Sequence, residues 1–284
     1  MTIAKQVSSS GRIIKRMEFA RNDLRVLAAI RDCGFISINQ LHALFPYRRI
    51  TKHSDITQVY HFTKRLENMG LIEFNYRIVD GKQGALSLTD EGHSMLRLHS
   101  YSLETTNADA RADAAGIQHF IFMNEAMLKF YKEYSVSFWL TDFLVRAENQ
   151  LLEDEGFAKD YDAVFQIVCE NVPLTVAIEY EHTQRNKTRY QDAFKSYAND
   201  PYIQLVIFIV ESANWAAPFT EGKKVPGRKL CYMTSAEFLS RPLAKVNATR
   251  WNGQAFESIT LGRAMQEATA NKNREYVVNH LPPK

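Results

Sequence analysis

Asp162-Ala-Val-Phe-Gln-Ile-Val-Cys169, the pair Glu170-Asn171 and Leu174-Thr-Val-Ala-Ile-Glu-Tyr-Glu-His182 decide how this chain is read. The second stretch alternates as a strand does: Val176, Ile178 and Tyr180 point one way, and Thr175, Ala177, Glu179 and Glu181 the other. The first stretch reads as a partner strand, and Glu170-Asn171 as a two-residue turn between them. That turn sets Asp162 directly across from Glu179, with Glu181 about 7 Å further along the same face. Three carboxylates would then crowd one patch, each close pair repelling by a few kcal/mol at an effective dielectric of about 20. Such a patch requires a cation, a proton or open water.

The chain around this hairpin has 284 residues, enough for two domains with cores of their own. Apolar residues make up 45% and charged residues 24%, the balance of a globular protein rather than a disordered one. The longest purely aliphatic or aromatic run, Leu205–Val210, is too short to span a bilayer, so no membrane partner is expected. The amino terminus has no apolar signal core, which reads as a cytoplasmic protein. Cys33, Cys169 and Cys231 stand apart, without zinc or disulfide spacing. A net charge of +3 hides an asymmetry: residues 1–100 hold 15 Lys and Arg against 9 Asp and Glu, giving +6. A basic amino-terminal third suits a polyanionic partner.

Residues 1–20 read as a basic arm, and residues 21–100 as a winged helix-turn-helix. Asp23 is placed to cap a first helix that Gly34 ends, and Phe35-Ile36 is a short extended piece. Ser37-Ile-Asn-Gln40 is a capping box for a second helix, Ile38 to Phe45, stopped at Pro46. Ser54 or Asp55 caps a third helix that runs to Met69, with Gly70 after it. Val59, Phe62, Leu66 and Met69 form its buried face, which leaves Thr57, Tyr60, His61 and Lys64 outward and Arg65 on the flank. Strands from Leu71 to Val79 and Ala85 to Leu88 form a hairpin with Lys82 at its basic tip, and Thr89 opens a fourth helix. The third helix carries the side chains that a major-groove reader of double-stranded DNA needs, and Lys82 could meet phosphates. Palindromic DNA sites would be met by a homodimer.

Residues 101–114 are small and polar and read as a linker; residues 115–284 read as an α/β domain with a central mixed sheet. A long helix covers about Ala115 to Tyr134, followed by a strand from Val136 to Leu140. The acidic stretch Glu148 to Gly156 reads as a loop or a frayed turn. After the carboxylate hairpin come a helix from Thr183 to Asn199, a central strand from Tyr202 to Val210, and a further strand from Leu230 to Met233 leading to a helix at Ser235. The residues from Ala264 onward look helical and polar. The fold class is therefore α+β.

This order resembles the restriction-endonuclease-like core of the PD-(D/E)xK superfamily, with Tyr161-Asp162 at its first motif and Glu179-Tyr180-Glu181 at its second. The combination with a winged helix resembles the replication-relaxation family of plasmids and mobile elements. The matching features are Trp139 to Asp142, Asp162-Ala163, Glu179-x-Glu181 with His182-Thr183, and a helix reaching Tyr197. The resemblance implies a DNA-binding protein that controls transcription, replication or transfer, its nuclease-like domain inactive or active. An active site would bind Mg²⁺ or Mn²⁺ through Asp162 and Glu179. Glu181 stands where the family has its lysine, which implies a glutamate acting as base and a substitute cation, Lys187 or else Arg185 or Arg189, reaching back from the next helix.

Overall fold

Alternation and capping turn into an α+β architecture with two antiparallel or mixed sheets. The computed structural model describes residues 21–48, 50, 55–75, 84–99, 114–152, 155–183, 187–216, 229–252 and 254–280. The expected basic arm, Lys82 and nearly all of the expected linker lie outside the described residues.

In the amino-terminal part, α1 (Arg21–Cys33), β1 (Ile36–Ser37), α2 (Ile38–Leu44), α3 (Ile56–Asn68), β2 (Ile72–Asn75), β3 (Ala85–Leu88) and α4 (Asp90–Leu98) follow in order. The strands pair antiparallel in the order β1-β3-β2. Local chemistry sets the helix ends. Ser37 and Gln40 close a reciprocal capping box on α2, Asp55 accepts from the Thr57 N–H at the start of α3, and Thr89 accepts from Gly92 in α4. Gly34 and Gly70 end α1 and α3 with φ of 67° and 72°. Asp23 does not cap α1. It lies within the first turn, is buried, and pairs with Arg65 of α3, so it clasps two helices together.

Helix α5 (Ala114–Glu133) then leads into β4 (Val136–Thr141), α6 (Asp142–Leu152), β5 (Ala163–Cys169), β6 (Val172–Glu181), α7 (Lys187–Asn199) and β7 (Leu205–Val210). The chain continues through β8 (Leu230–Thr234), α8 (Ser235–Ser240), β9 (Asn247–Trp251), β10 (Phe256–Thr260) and α9 (Leu261–His280). Seven strands form one mixed sheet in the order β10-β9-β8-β7-β6-β5-β4; β6, β7 and β8 run parallel and the outer pairs antiparallel. The acidic stretch expected as a loop or frayed turn is helical as far as Leu152: α6 sends Phe143, Leu144 and Val145 inward, exposes Arg146 and leaves Asp142 and Glu148 half-buried. No helix among the described residues is long and apolar enough to cross a membrane.

The sheet is covered on both faces. Ile178, Ile207, Phe165 and Met233 pack against α5, α8 and α9, whereas Ala177, Val206, Phe208 and Val164 pack against Val145 of α6 and Tyr190, Phe194 and Tyr197 of α7. Strand β7, fully buried, occupies the middle. Helix α5 belongs to both sheets' surroundings. Asn124 Nδ2 donates to the Phe35 carbonyl at 2.7 Å, Gln40 Nε2 donates to the Ile121 carbonyl at 2.8 Å, and Tyr47 stacks on Tyr131 with centroids 5.0 Å apart. At the far edge, Arg250 of β9 reaches both Glu257 of β10 and Glu267 of α9 at 2.7 Å.

Two tests follow from this packing. A Cβ on Gly34 would lie 2.8 Å from the Phe120 ring, whereas one on Gly70 meets nothing within 4 Å. Both glycines hold positive φ, so each alanine variant should lose about 1–2 kcal/mol to left-handed strain. Gly34→Ala should lose more, because Phe120 must also shift, and urea unfolding of the two variants side by side measures the difference. The second test concerns acid. Hydrogen bonds from Arg250 and Asn252 hold Glu257 below the usual 4.5. Burial pushes Glu267 up, but hydrogen bonds from Arg250 and Arg263 outweigh it, and the result is also a lowered value. Groups depressed in the folded state stabilise above the ordinary glutamate range, and that stabilisation disappears as pH falls through their folded values. Melting temperature should therefore drop on acidification below about 4.5, and Arg250→Met should flatten that limb.

Candidate functional site

The hairpin closes as its sequence requires. Glu170 and Asn171 take φ of 50° and 65°, both positive, as a two-residue primed turn demands. The ladder runs to Ala163↔Ile178, which carries Asp162 opposite Glu179 one step beyond its end. Glu179 and Glu181 are 6% and 5% exposed, so neither glutamate simply faces water. A buried carboxylate has to be compensated by the protein.

Asp162 and Glu179 are compensated separately. Asp162 Oδ2 accepts the Tyr180 N–H at 2.7 Å, and its Oδ1 lies 3.6 Å from Nε2 of His119 on α5. Glu179 Oε1 lies 2.7 Å from the ammonium of Lys159. Asp162's contacts thus belong to the α5 side of the sheet, and those of Glu179 to the side of α6 and α7. As placed, both are paired within the protein, and a divalent ion would have to displace those partners. Among the described residues no three His, Cys, Asp or Glu side chains group closely enough to hold a metal. Lys187 begins α7, but its side chain lies outside the described residues, as do those of Arg185 and Arg189.

Lys159 is the residue that the sequence reading missed. It lies in an irregular segment just ahead of β5, where no periodicity marks it. Its ammonium lies 5.6 Å and 5.1 Å from the ring centres of Tyr161 and Tyr197, and 3.4 Å from the Tyr197 hydroxyl. Asp200, with no exposure at all, fixes this segment. Its Oδ2 accepts from the Ala158 N–H at 2.9 Å and the Tyr161 hydroxyl at 3.0 Å; its Oδ1 accepts from the N–H groups of Tyr202 and Ile203. Burial first, and then the negative charge of Asp200, push the Tyr161 phenol far above its ordinary range, so it stays a neutral donor.

On the α5 side, Tyr180 stacks on Phe122 with centroids 3.8 Å apart and donates its hydroxyl to Glu211. Burial, followed by that hydrogen bond, raises the Tyr180 phenol. The His119 and His182 rings meet edge to face beside it, with centroids 5.7 Å apart. Asp142 and Glu125, two further acids near the expected cluster, are engaged elsewhere: Asp142 with the Phe143 N–H and Arg146, Glu125 with Gln40. A cavity of about 10 Å³ is lined by residues that include Cys33, His119, Trp139, Thr141, Asp142 and Asp162, so Asp142 and Asp162 share it.

The second candidate surface is the outer face of α3. Thr57, Tyr60, His61, Lys64 and Arg65 are all exposed, while Val59, Thr63 and Leu66 are buried. Phe62 and Met69, expected on the buried face, are half-buried. Two of the cations have acidic neighbours: Lys64 pairs with Glu67 at 2.7 Å, and Arg65 pairs with Asp23 while covering Phe62 at 5.4 Å. An exposed pair such as Lys64–Glu67 is worth at most about 1 kcal/mol and opens readily for a phosphate. Arg65 is bound to a buried carboxylate and serves first to fasten α3 to α1.

In comparisons with known proteins, the chain matches no family model and no curated protein.

Asp200 gives the clearest test of how the site is held. Asp200→Ala would leave the Tyr161 hydroxyl and three N–H groups without their acceptor, and should cost roughly 3–5 kcal/mol. Denaturant unfolding should show that loss, whereas Asp160→Ala, which removes a single exposed bond to Asn149, should stay within about 0.5 kcal/mol of the unaltered protein.

Proposed function

We propose that this protein binds double-stranded DNA, with the amino-terminal elements acting as a winged helix-turn-helix and α3 as the helix that enters the major groove. The observation that carries this reading is the division of α3. One face is buried, and the other exposes Thr57, Gln58, Tyr60, His61 and Lys64 as a continuous polar and cationic strip. A helix fits the major groove, and these side chains can donate to or accept from base edges and phosphates. The sheet order β1-β3-β2 beside three helices is the arrangement that such a motif uses. The +6 charge of residues 1–100, Lys82 among its cations, supplies the sequence-independent attraction. In this reading the protein serves a mobile element from the cytoplasm, controlling transcription, replication or transfer, and the seven-stranded part, of restriction-endonuclease-like type, is a platform for positioning and homodimer formation.

A second reading is a DNA endonuclease dependent on Mg²⁺ or Mn²⁺, using Asp162, Glu179, Glu181 and Lys187. The register that puts Asp162 opposite Glu179, with Glu181 two residues on, favours it.

The groove assignment is tested by gel shift at several salt concentrations. Tyr60→Ala and Lys64→Ala should each weaken binding by roughly tenfold, and Lys64→Ala should also lower the salt slope by about 1. Unchanged affinity in both variants at every salt would rule α3 out. Incubation of supercoiled and linear DNA with Mg²⁺ or Mn²⁺, beside Asp162→Ala and Glu179→Ala, separates the two readings. Intact DNA with binding retained supports the platform; metal-dependent cleavage lost in both variants supports the nuclease.

A further inference from the structure

Negative charge enters the α7 side of the sheet on β6, where Glu179 is 6% exposed. Lys159 faces it as an ion pair, its ammonium 2.7 Å from Glu179 Oε1 though not aligned as a hydrogen bond. Two tyrosines and one buried carboxylate hold that ammonium in place. The Tyr161 and Tyr197 rings lie 5.6 Å and 5.1 Å from it, within the reach of cation–π attraction. The Tyr197 hydroxyl is 3.4 Å away. Asp200 accepts the N–H of Ala158, the residue before Lys159, and the hydroxyl of Tyr161, two residues after it, so both flanks of the lysine are tied to one buried group. A lysine at a solvated surface keeps its stem free; this one has surrendered that freedom at a cost in side-chain entropy that the tyrosine rings and the matching charge together offset.

We infer that Lys159 is the resident cation of this site. Its ammonium takes the place beside Glu179 that a divalent metal would otherwise take, so the domain is complete without such an ion. The inference goes beyond DNA binding, does not rest on it, and opposes the nuclease reading. It makes the lysine and a divalent ion competitors for one carboxylate, with Asp162 already committed to the Tyr180 N–H and Glu181 two residues further along β6.

The test uses the full chain, Mn²⁺ as the probe, and two readouts: free Mn²⁺ by electron paramagnetic resonance, and melting temperature with Mn²⁺ or with chelator. Lys159→Met keeps the stem between the tyrosine rings and removes the charge; Lys159→Gln keeps a polar end. The unaltered protein should melt at the same temperature with Mn²⁺ or chelator. Both variants should bind Mn²⁺ roughly tenfold more tightly than the unaltered protein, as loss of a neighbouring charge implies. They should also melt higher with Mn²⁺ than with chelator, and adding Glu179→Gln should abolish the gain. If either variant folds only when Mn²⁺ is supplied, the metal has replaced the lysine and the inference stands. It falls if the unaltered protein binds Mn²⁺ saturably and Glu179→Gln removes that binding. It falls equally if neither variant gains Mn²⁺ binding or is rescued by it.

Discussion

A carboxylate with no contact with water is costly unless every lone pair is used, and Asp200 meets that condition by accepting four hydrogen bonds. Those bonds join three pieces of chain: the irregular segment before β5, the end of α7 and the approach to β7. The Asp200 carbonyl adds a fourth piece by accepting from Lys229 just ahead of β8. Positions far apart in sequence are thereby referred to one point, and the polar lining of the α7 side is set from there. Lys159 meets Glu179 because the backbone on either side of it has no other place to go.

The opposite side of the sheet depends on α5. A helix that touches only one layer can slide; α5 is held by Asn124 and Gln40 against the amino-terminal elements and by Phe122 and Phe130 against Tyr180 and Phe165. One apolar cluster therefore runs from Leu27 and Val59 through Met127 to Ile178 and Ile207. The surface that α3 presents and the carboxylates Asp162 and Glu179 lie on either side of this one helix, with His119 in its first turns facing Asp162.

The sequence carried the hairpin and α3 because both are written in local chemistry. Glu170-Asn171 tolerates the positive φ of a tight turn, the alternation on either side is unbroken, and Asp55 and Gly70 bracket an apolar spacing with only one helical phase. Other parts were hidden because their causes are distant. Asn247–Trp251 is short and polar and becomes a strand only beside β8 and β10, with Arg250 fastened to α9. The stretch Glu148 to Gly156 is rich in acids, so composition suggested a loop although the chain stays helical as far as Leu152. Asp23 looked like a cap because its type and position suit one; a partner on α3 decided otherwise. Lys159 was invisible for the same reason: what marks it is Asp200, which no local pattern connects to it.

The face assignment along β6 also limits how this chain can change over generations. Successive residues of the strand alternate between two unlike surroundings, aromatic stacking on Phe122 for Tyr180 and an ammonium for Glu179. Losing or gaining one residue between Val172 and Ile178 would exchange them, driving a carboxylate into a wall of rings and a phenol onto a lysine. Point substitutions in this strand can be absorbed one at a time, but length changes are admissible only in pairs. Variation in length should therefore gather in the segments outside the sheet, and the spacing from Glu170 to Glu181 should behave as an indivisible unit of inheritance.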